Sequence, residues 1–461
     1  MSYWVLPGWL CQPDEDACHL REWDWMPCRP EEQPGDLDLS RFVWWNWNHP
    51  WNFHLKNEFP ESSDNPRTLG LHWSQGAIRA SHFIGAVRLG DEFDSPPLII
   101  EPKIERLDVA GMFASVLAAP KEVTGAELDR LFGCDAEQQP IDGVNLPDLS
   151  LLEVIAYLHT LARFVQRHLR QGFVRVSENL VGKVRGRVLI SNQTRENLAR
   201  ARPDRMFCEF TVFSLDTLEN RILKAALDTA AHWLACQPIG VVPPPVNQWI
   251  AVSRSALAAV PDYQVNQRDW TTVRKAGLMA SYAKPLAFAR LVLTRLHLTP
   301  TGAADEDGEL RTLPFFLDAN RLFEGWVGVC LAHAGCDPKA QGTRHQRVCG
   351  TSVEFRPDFV LPNLHAVVDA KYKRRDQGQI LGSDLYQVIG YARLLEPPGR
   401  QGGQDHYTDA WLAFPDFDRR DGPLTLNEAK QQFRANWVGR EGSRWPDGFK
   451  LGCVTVSLPR R

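Results

Sequence analysis

No apolar run in this sequence approaches the roughly 20 residues that a membrane-spanning helix needs, so no membrane segment is expected. The opening residues, MSYWVLPGWLCQPDEDACHL, contain no basic-then-apolar leader and soon turn acidic. They read as lacking a secretion signal, and the expected location is the cytoplasm. None of the ten cysteines stands in a CxxC pair, which removes a zinc ribbon. Cys11, Cys18, His19 and Cys28 offer only an irregular metal site, and reduced thiols are the reading adopted. No HExxH, no Gly-x-Ser-x-Gly elbow and no Walker A glycine loop occurs. Zincin, serine-hydrolase and nucleotide-hydrolysing chemistry therefore have no motif in this chain. Net charge is also scarce, at −4 from 52 Lys+Arg and 56 Asp+Glu over 461 residues.

That small sum conceals two opposed blocks. Residues 1–66 carry twelve acids and four bases, whereas residues 163–205 carry eleven bases and three acids. Eight of the sixteen Trp fall in the first 51 residues. The run FVWWNWNHPWNFHL (42–55) has polar residues between aromatics, as in a half-buried strand or a stacking surface. Its acidic surroundings favour a core or a protein contact over nucleic acid.

The hydropathy pattern divides the chain into an α+β multidomain protein with a β-rich N-terminal portion, a helical middle and a C-terminal mixed α/β domain. The expected divisions are 1–70, a Trp-rich acidic segment of unassigned role; 71–142, a small β-rich domain; 143–300, a helical and basic middle; and 301–461. HFIGAVRLGDEF (82–93) and PLIIEPKI (97–104) are short β-rich runs. Residues 143–172 repeat apolar side chains at helical spacing, with Asp148 or Ser150 as a cap and Gly172 as a stop. Further helices are expected over 216–236, 281–298, 315–335 and 384–396, with strands over 353–361, 366–373 and 409–415. The middle holds Arg163, Arg167 and Arg170 on a helix face, and Lys183, Arg185 and Arg187 alternating along a β-like run. The second group could meet DNA phosphates or an acidic protein partner. Arg221 is expected to pair with Glu219 or Asp216.

Chemistry concentrates in the last third. Along VEFRPDFVL (353–361), strand alternation puts Glu354, Arg356 and Asp358 on one face; along AVVDAKYK (366–373) it groups Asp369, Lys371 and Lys373. An apolar run ending in Asp-x-Lys needs a partner or a cation for its charge. Two carboxylates on adjacent strands suit Mg²⁺, which takes oxygen ligands and keeps several waters. A nearby Lys can orient or help deprotonate an attacking water, as phosphodiester hydrolysis requires. An Asp-Ala-Lys alone is better explained by a surface ion pair between two edge strands.

It does not stand alone. Pro357-Asp358, ten intervening residues and Asp369-Ala370-Lys371 resemble the PD-(D/E)xK nuclease motif. Glu324 in LFEGW is similar to the acidic residue that such nucleases often supply from a first helix. Gln387-Val-Ile-Gly-Tyr391 resembles the QxxxY element of RecB-like members. GKVRGRVLISNQTREN (182–197), RMFCEFTVFSLDTLENRILKAAL (205–227) and the block 315–396 together look like McrC, covering roughly residues 75–415. McrC is the nuclease subunit of McrBC-type, modification-dependent restriction systems.

The resemblance implies a restriction-endonuclease-like domain over 301–461 and a Mg²⁺-dependent DNA endonuclease. Asp358, Asp369 and Glu324 would hold the metal, Lys371 would position water, and Gln387 and Tyr391 would hold DNA or the site's geometry. It further implies an McrB-type AAA+ GTPase hexamer as partner, whose nucleotide hydrolysis the subunit stimulates, and double-stranded modified DNA as substrate. Lys183, Arg185, Arg187, Arg356 and Lys373 are the candidate DNA or partner contacts. Two other readings stay open: a free-standing nuclease of another defence or repair system, and a non-catalytic regulatory subunit of an AAA+ GTPase.

Overall fold

The computed structural model describes residues 18–21, 25–27, 71–74, 77–80, 82–88, 97–134, 147–238, 240–274, 276–297, 315–341, 344–348, 351–374, 382–394, 408–417, 423–440, 442–444 and 449–461. The Trp-rich run 42–55 lies outside them, as do Cys11 and Cys28 of the irregular metal reading. The chain forms two compact units, residues 1–152 with 306–461, and residues 153–305.

The first unit begins with β1 (Cys18–Arg21), β2 (Trp25–Pro27), β3 (Leu71–Ser74), β4 (Ala77–Ala80), β5 (Phe83–Arg88) and β6 (Pro97–Glu101). Strands β2, β4 and β3 make a small antiparallel sheet. β6 pairs antiparallel with β5 and parallel with β1. Helix α1 (Val109–Ala118) follows, with Asp108 accepting the Gly111 N–H at 3.0 Å as its cap. It is buried on all sides from Val109 to Leu117. A helix buried all round shows no polar stripe, which is why the β-rich reading of 71–142 passed over it. Two single-turn helices, α2 (Lys121–Thr124) and α3 (Leu128–Leu131), lead into β7 (Phe132–Cys134).

Helix α4 (Pro147–Arg167) belongs mostly to the second unit. It starts at Pro147, whose missing N–H is harmless in a first turn, so Asp148 and Ser150 lie inside it. It ends at Arg167, and Gly172 opens β8 (Gly172–Val181) instead of stopping the helix. β9 (Arg187–Val188) and β8 both pair antiparallel with β10 (Arg205–Ser214), so the middle is helical around a three-stranded sheet. Helices α5 (Leu218–Ala235), α6 (Pro244–Ala256) and α7 (Ala283–His297) complete it. Tyr157 ties α4 to α5 by donating to the Leu223 carbonyl at 2.7 Å.

The expected strand through Lys183, Arg185 and Arg187 is broken. Gly182 and Gly186 have φ of 64° and 68°, a left-handed geometry that ends strand pairing. Lys183 and Arg185 sit on the exposed loop between them, and only Arg187 reaches β9. Arg185 stacks its guanidinium 4.4 Å from the centre of the Phe210 ring. Arg163, Arg167 and Arg170 are solvated, and Arg221 pairs with Asp216 through two bonds, at 2.5 and 2.8 Å.

The chain rejoins the first unit with β11 (Phe315–Asp318), which pairs antiparallel with both β5 and β7. The helix expected over 315–335 therefore starts four residues late, as α8 (Ala319–His333), capped by Asp318. Next come β12 (Lys339–Ala340), β13 (Arg344–Val348), β14 (Thr351–Phe355), β15 (Phe359–Leu361), β16 (Ala366–Ala370), α9 (Gly382–Leu394), β17 (Asp409–Pro415), α10 (Leu426–Val438), β18 (Gly442–Arg444) and β19 (Lys450–Val456). A six-stranded mixed sheet runs in the order β12-β15-β16-β17-β19-β18, with β16, β17 and β19 parallel. Val388 and Ala392 of α9 pack with Val367, Ala410 and Leu412 on one face. On the other face Phe323 of α8 meets Tyr372, and Trp437 of α10 meets Trp411.

Two expectations change here. Residues 71–142 and 301–461 were expected as separate domains, yet β11 is shared and Gly325 of α8 lies tight against Val116 of α1. The strand expected over 353–361 is two strands, because Pro357 has no N–H to continue a ladder. β14 pairs with β13 in its own hairpin, and β15 enters the main sheet. Glu354 therefore lies on β14, and Arg356 and Asp358 lie in the break before β15, so the three do not share one strand.

Gly186 carries a direct prediction. A Cβ there would lie 2.4 Å from the Glu209 carbonyl oxygen and would force the left-handed geometry on a residue that resists it. Gly186→Ala is expected to lower the unfolding free energy of the second unit by about 1–3 kcal/mol, measured by urea titration. An unchanged midpoint would contradict this account of the loop.

Candidate active site

Ala366–Asp369 is buried at every position because β16 has strands on both sides and helices on both faces. Side chains alternate, so Val367, Asp369 and Lys371 share the face that α9 covers. The Lys371 N–H still reaches the Ala413 carbonyl at 2.8 Å, extending the ladder one residue beyond β16. Its ammonium lies 2.6 Å from Asp369 Oδ2, and Asp369 is only 2% exposed. Lys371 also donates to Gln387 Oε1 at 2.9 Å, while Gln387 Nε2 donates to the Tyr391 hydroxyl oxygen at 2.8 Å. Gln387 and Tyr391 stand one helical turn apart on α9, which allows that bond.

β15 runs antiparallel to β16 with Phe359 opposite Val368. One step further in the same register, Asp358 stands opposite Asp369. The Ala370 N–H donates to Asp358 Oδ2 at 2.7 Å, holding the carboxylate over the end of the ladder. Burial pushes Asp358 well above the usual carboxylate range, and the charges of Glu324 and Asp369 add to the rise. Glu324, on α8, is likewise raised by burial. It accepts from Gln341 Nε2 at 3.0 Å, and with Gln341, Arg130 and Arg321 it lines a surface cleft. Burial works to lower Lys371, but the charge and hydrogen bond of Asp369 more than reverse this. The net effect is a Lys371 pKa above its usual value, with the ammonium held between Asp369 and Gln387.

Among the described residues no three Asp, Glu, His or Cys side chains close into a cage. The donor chemistry nevertheless fits a hard divalent cation that keeps part of its water shell. Asp358, just before β15, and Asp369, on β16, are near enough for each charge to act on the other, and each has one oxygen committed, Asp358 to Ala370 and Asp369 to Lys371. Their mutual repulsion, with Glu324 behind, is what a cation relieves.

Glu324, Asp358, Asp369, Lys371, Gln387 and Tyr391 are thus gathered in the first unit. Arg356 is exposed and donates to Gln341 Oε1. Lys373 is committed to an ion pair with Asp384, on the first turn of α9. Lys183, Arg185 and Arg187 belong to the second unit and do not join this cluster. Sequence reasoning missed Gln341 and Asp384. Gln341 gave no signal, being a non-glycine residue at φ 50° outside any motif. Asp384 had one, since an acid in the first turn of an expected helix lies eleven residues after Lys373.

A family model described as McrBC 5-methylcytosine restriction system component matches residues 78–401. No curated protein matches the chain. Among solved structures, a refined half-complex from a tetradecameric assembly of Thermococcus gammatolerans McrB AAA+ hexamers with bound McrC is similar at 16% identity. That similarity covers 95% of this chain and 94% of that one, with a TM-score of 0.39. The cryo-EM structure of the Thermococcus gammatolerans McrBC complex is similar at 18% identity over 70% of this chain and 89% of that one, with a TM-score of 0.28.

The raised Asp358 has a consequence for stability. Its folded-state pKa lies above its unfolded one, so its contribution is present at low pH and is lost as pH rises through the folded value. Asp358→Asn keeps an acceptor for the Ala370 N–H and removes the charge. In urea it is expected to be more stable than the wild type by about 1–2 kcal/mol in mildly alkaline buffer, with the gap closing in acid. A less stable variant at alkaline pH would contradict the repulsion argument.

Proposed function

The chain belongs to the McrBC 5-methylcytosine restriction system component family, and from that premise we propose that it is the DNA-cleaving subunit of such a system. The observation that carries the proposal is the arrangement at the end of β16. Asp369 and Lys371 pair at 2.6 Å, Asp358 stands across the ladder, and α9 fixes the lysine. This supports the PD-(D/E)xK reading of residues 357–371 and a restriction-endonuclease-like fold for the surrounding domain.

In this reading Asp358 and Asp369 hold Mg²⁺, with Glu324 supporting the site from α8. Bound Mg²⁺ would supply Lewis-acid activation and neutralise charge gained in phosphodiester hydrolysis. Lys371 keeps its proton, orients the attacking water and stabilises the phosphate oxygens as they gain charge. Gln387 and Tyr391 hold the ammonium in place. The partner is an McrB-type AAA+ GTPase hexamer, which supplies the nucleotide chemistry for which this chain carries no Walker A loop. The second unit, with exposed Lys183, Arg185 and Arg187, is the part proposed to meet that partner or DNA and to stimulate GTP hydrolysis. Arg356, exposed beside the carboxylates, is the cation proposed to meet a DNA phosphate.

The test combines the purified chain with its McrB-type partner, GTP, Mg²⁺ and duplex DNA bearing 5-methylcytosine. Asp369→Ala and Lys371→Ala are each expected to slow cleavage by at least about 100-fold while leaving GTP hydrolysis by the complex intact. Cleavage at the wild-type rate in either variant would remove the site assignment. A wild type that accelerates GTP hydrolysis yet never cuts would instead favour the regulatory reading.

A further inference from the structure

Gln341 touches three parts of the candidate site at once. Its backbone N–H donates to the Asp358 carbonyl at 2.8 Å, fixing it beside the break that precedes β15. Its side-chain Nε2 donates to Glu324 Oε1 at 3.0 Å. Its Oε1 accepts from the guanidinium of Arg356. It makes these contacts with φ at 50°, a left-handed conformation that a residue with a Cβ adopts only under strain. A glycine would hold the same backbone without that strain, so conformation alone does not explain a glutamine here.

The chemistry of the amide does. Arg356 has only donors, so it fixes the amide oxygen toward itself, and the NH₂ group must then face the Glu324 carboxylate. The amide cannot flip without placing its oxygen against Glu324 and its NH₂ against Arg356. One oxygen of Glu324 is thereby pinned, leaving the other for a ligand. The same residue, through its N–H, holds the backbone of Asp358. We propose that Gln341 is a positioning residue for the divalent-cation site, setting Glu324 and Asp358 relative to each other through a directed Arg356–Gln341–Glu324 relay. The inference rests on the metal-site reading above and adds a residue and a mechanism of alignment to it. Polar groups behind metal ligands generally govern how tightly a site holds its ion.

Mn²⁺ binding to the full chain, without DNA or partner, tests this by calorimetric titration. Gln341→Met keeps the length of the side chain and removes both polar contacts; Gln341→Gly keeps the positive-φ backbone and removes the side chain. Both are expected to weaken Mn²⁺ binding by roughly 10-fold without unfolding the chain, as a cooperative melt near or above the wild-type temperature would show. In a Glu324→Gln background, Gln341→Met is expected to add little, because the group it positions is already altered. A wild type that binds Mn²⁺ and loses it in Asp369→Asn, but keeps full affinity in both Gln341 variants, overturns the inference and leaves the metal site standing. Additive losses in the double variant overturn the relay through Glu324. A wild type that binds no Mn²⁺ at all overturns the metal-site reading and the inference together.

Discussion

A carboxylate stripped of water must find a proton or a cation, and the pairing of β15 with β16 sets two of them face to face. Like charges directly opposite in an antiparallel pair are destabilising, and burial makes them more so. Asp369 meets this constraint with Lys371, two residues further along the same strand face. Asp358 meets it with the Ala370 N–H and with a raised affinity for a proton. Much else in the first unit can be traced to these two groups. α9 brings Gln387 to the lysine, α8 brings Glu324 behind the acids, and the Arg356-Pro357-Asp358 break turns the chain so that Asp358 enters opposite Asp369.

The rest of the unit holds these pieces still. β17 is buried almost throughout, and its flanking helices fasten both faces of the sheet. The N-terminal portion contributes directly, since β5 and β7 clamp β11, and β11 ends at Asp318, the residue that caps α8. Lys103 adds another tie, donating to the Tyr372 carbonyl at 2.6 Å, next to Lys371. A charge-repelling site of this kind lowers stability where it acts, and the surrounding core offsets that cost.

Much of the candidate site was legible in the sequence because strand and helix periodicities are short-range. Asp369 and Lys371 are two apart on a strand, Gln387 and Tyr391 four apart on a helix, and each pair meets as that spacing requires. Groups that long connections bring together, such as Glu324, Asp358 and Asp369, were legible only through their likeness to a motif, and a residue outside any motif was not. Gln341 reaches Glu324 across 17 residues and follows no motif. The continuous strand expected through Pro357 failed because proline's missing donor outweighed an alternating pattern. Helix α1 was hidden by being apolar on every side. Helix α10 carries its own start signal in Thr425-Leu-Asn-Glu428, a capping box whose two reciprocal bonds form. In the middle unit, Gly182 and Gly186 turned an expected basic strand into a loop.

In the proposed reading, Asp358 and Asp369 are held against their mutual repulsion and receive one hard cation between them. Crystals of the chain grown with Mn²⁺ and measured at its absorption edge test this most directly. An anomalous peak is expected at about 2.1–2.3 Å from an oxygen of each aspartate, with remaining positions filled by water. A peak bound elsewhere, or none at saturating Mn²⁺ with both carboxylates ordered, would contradict it.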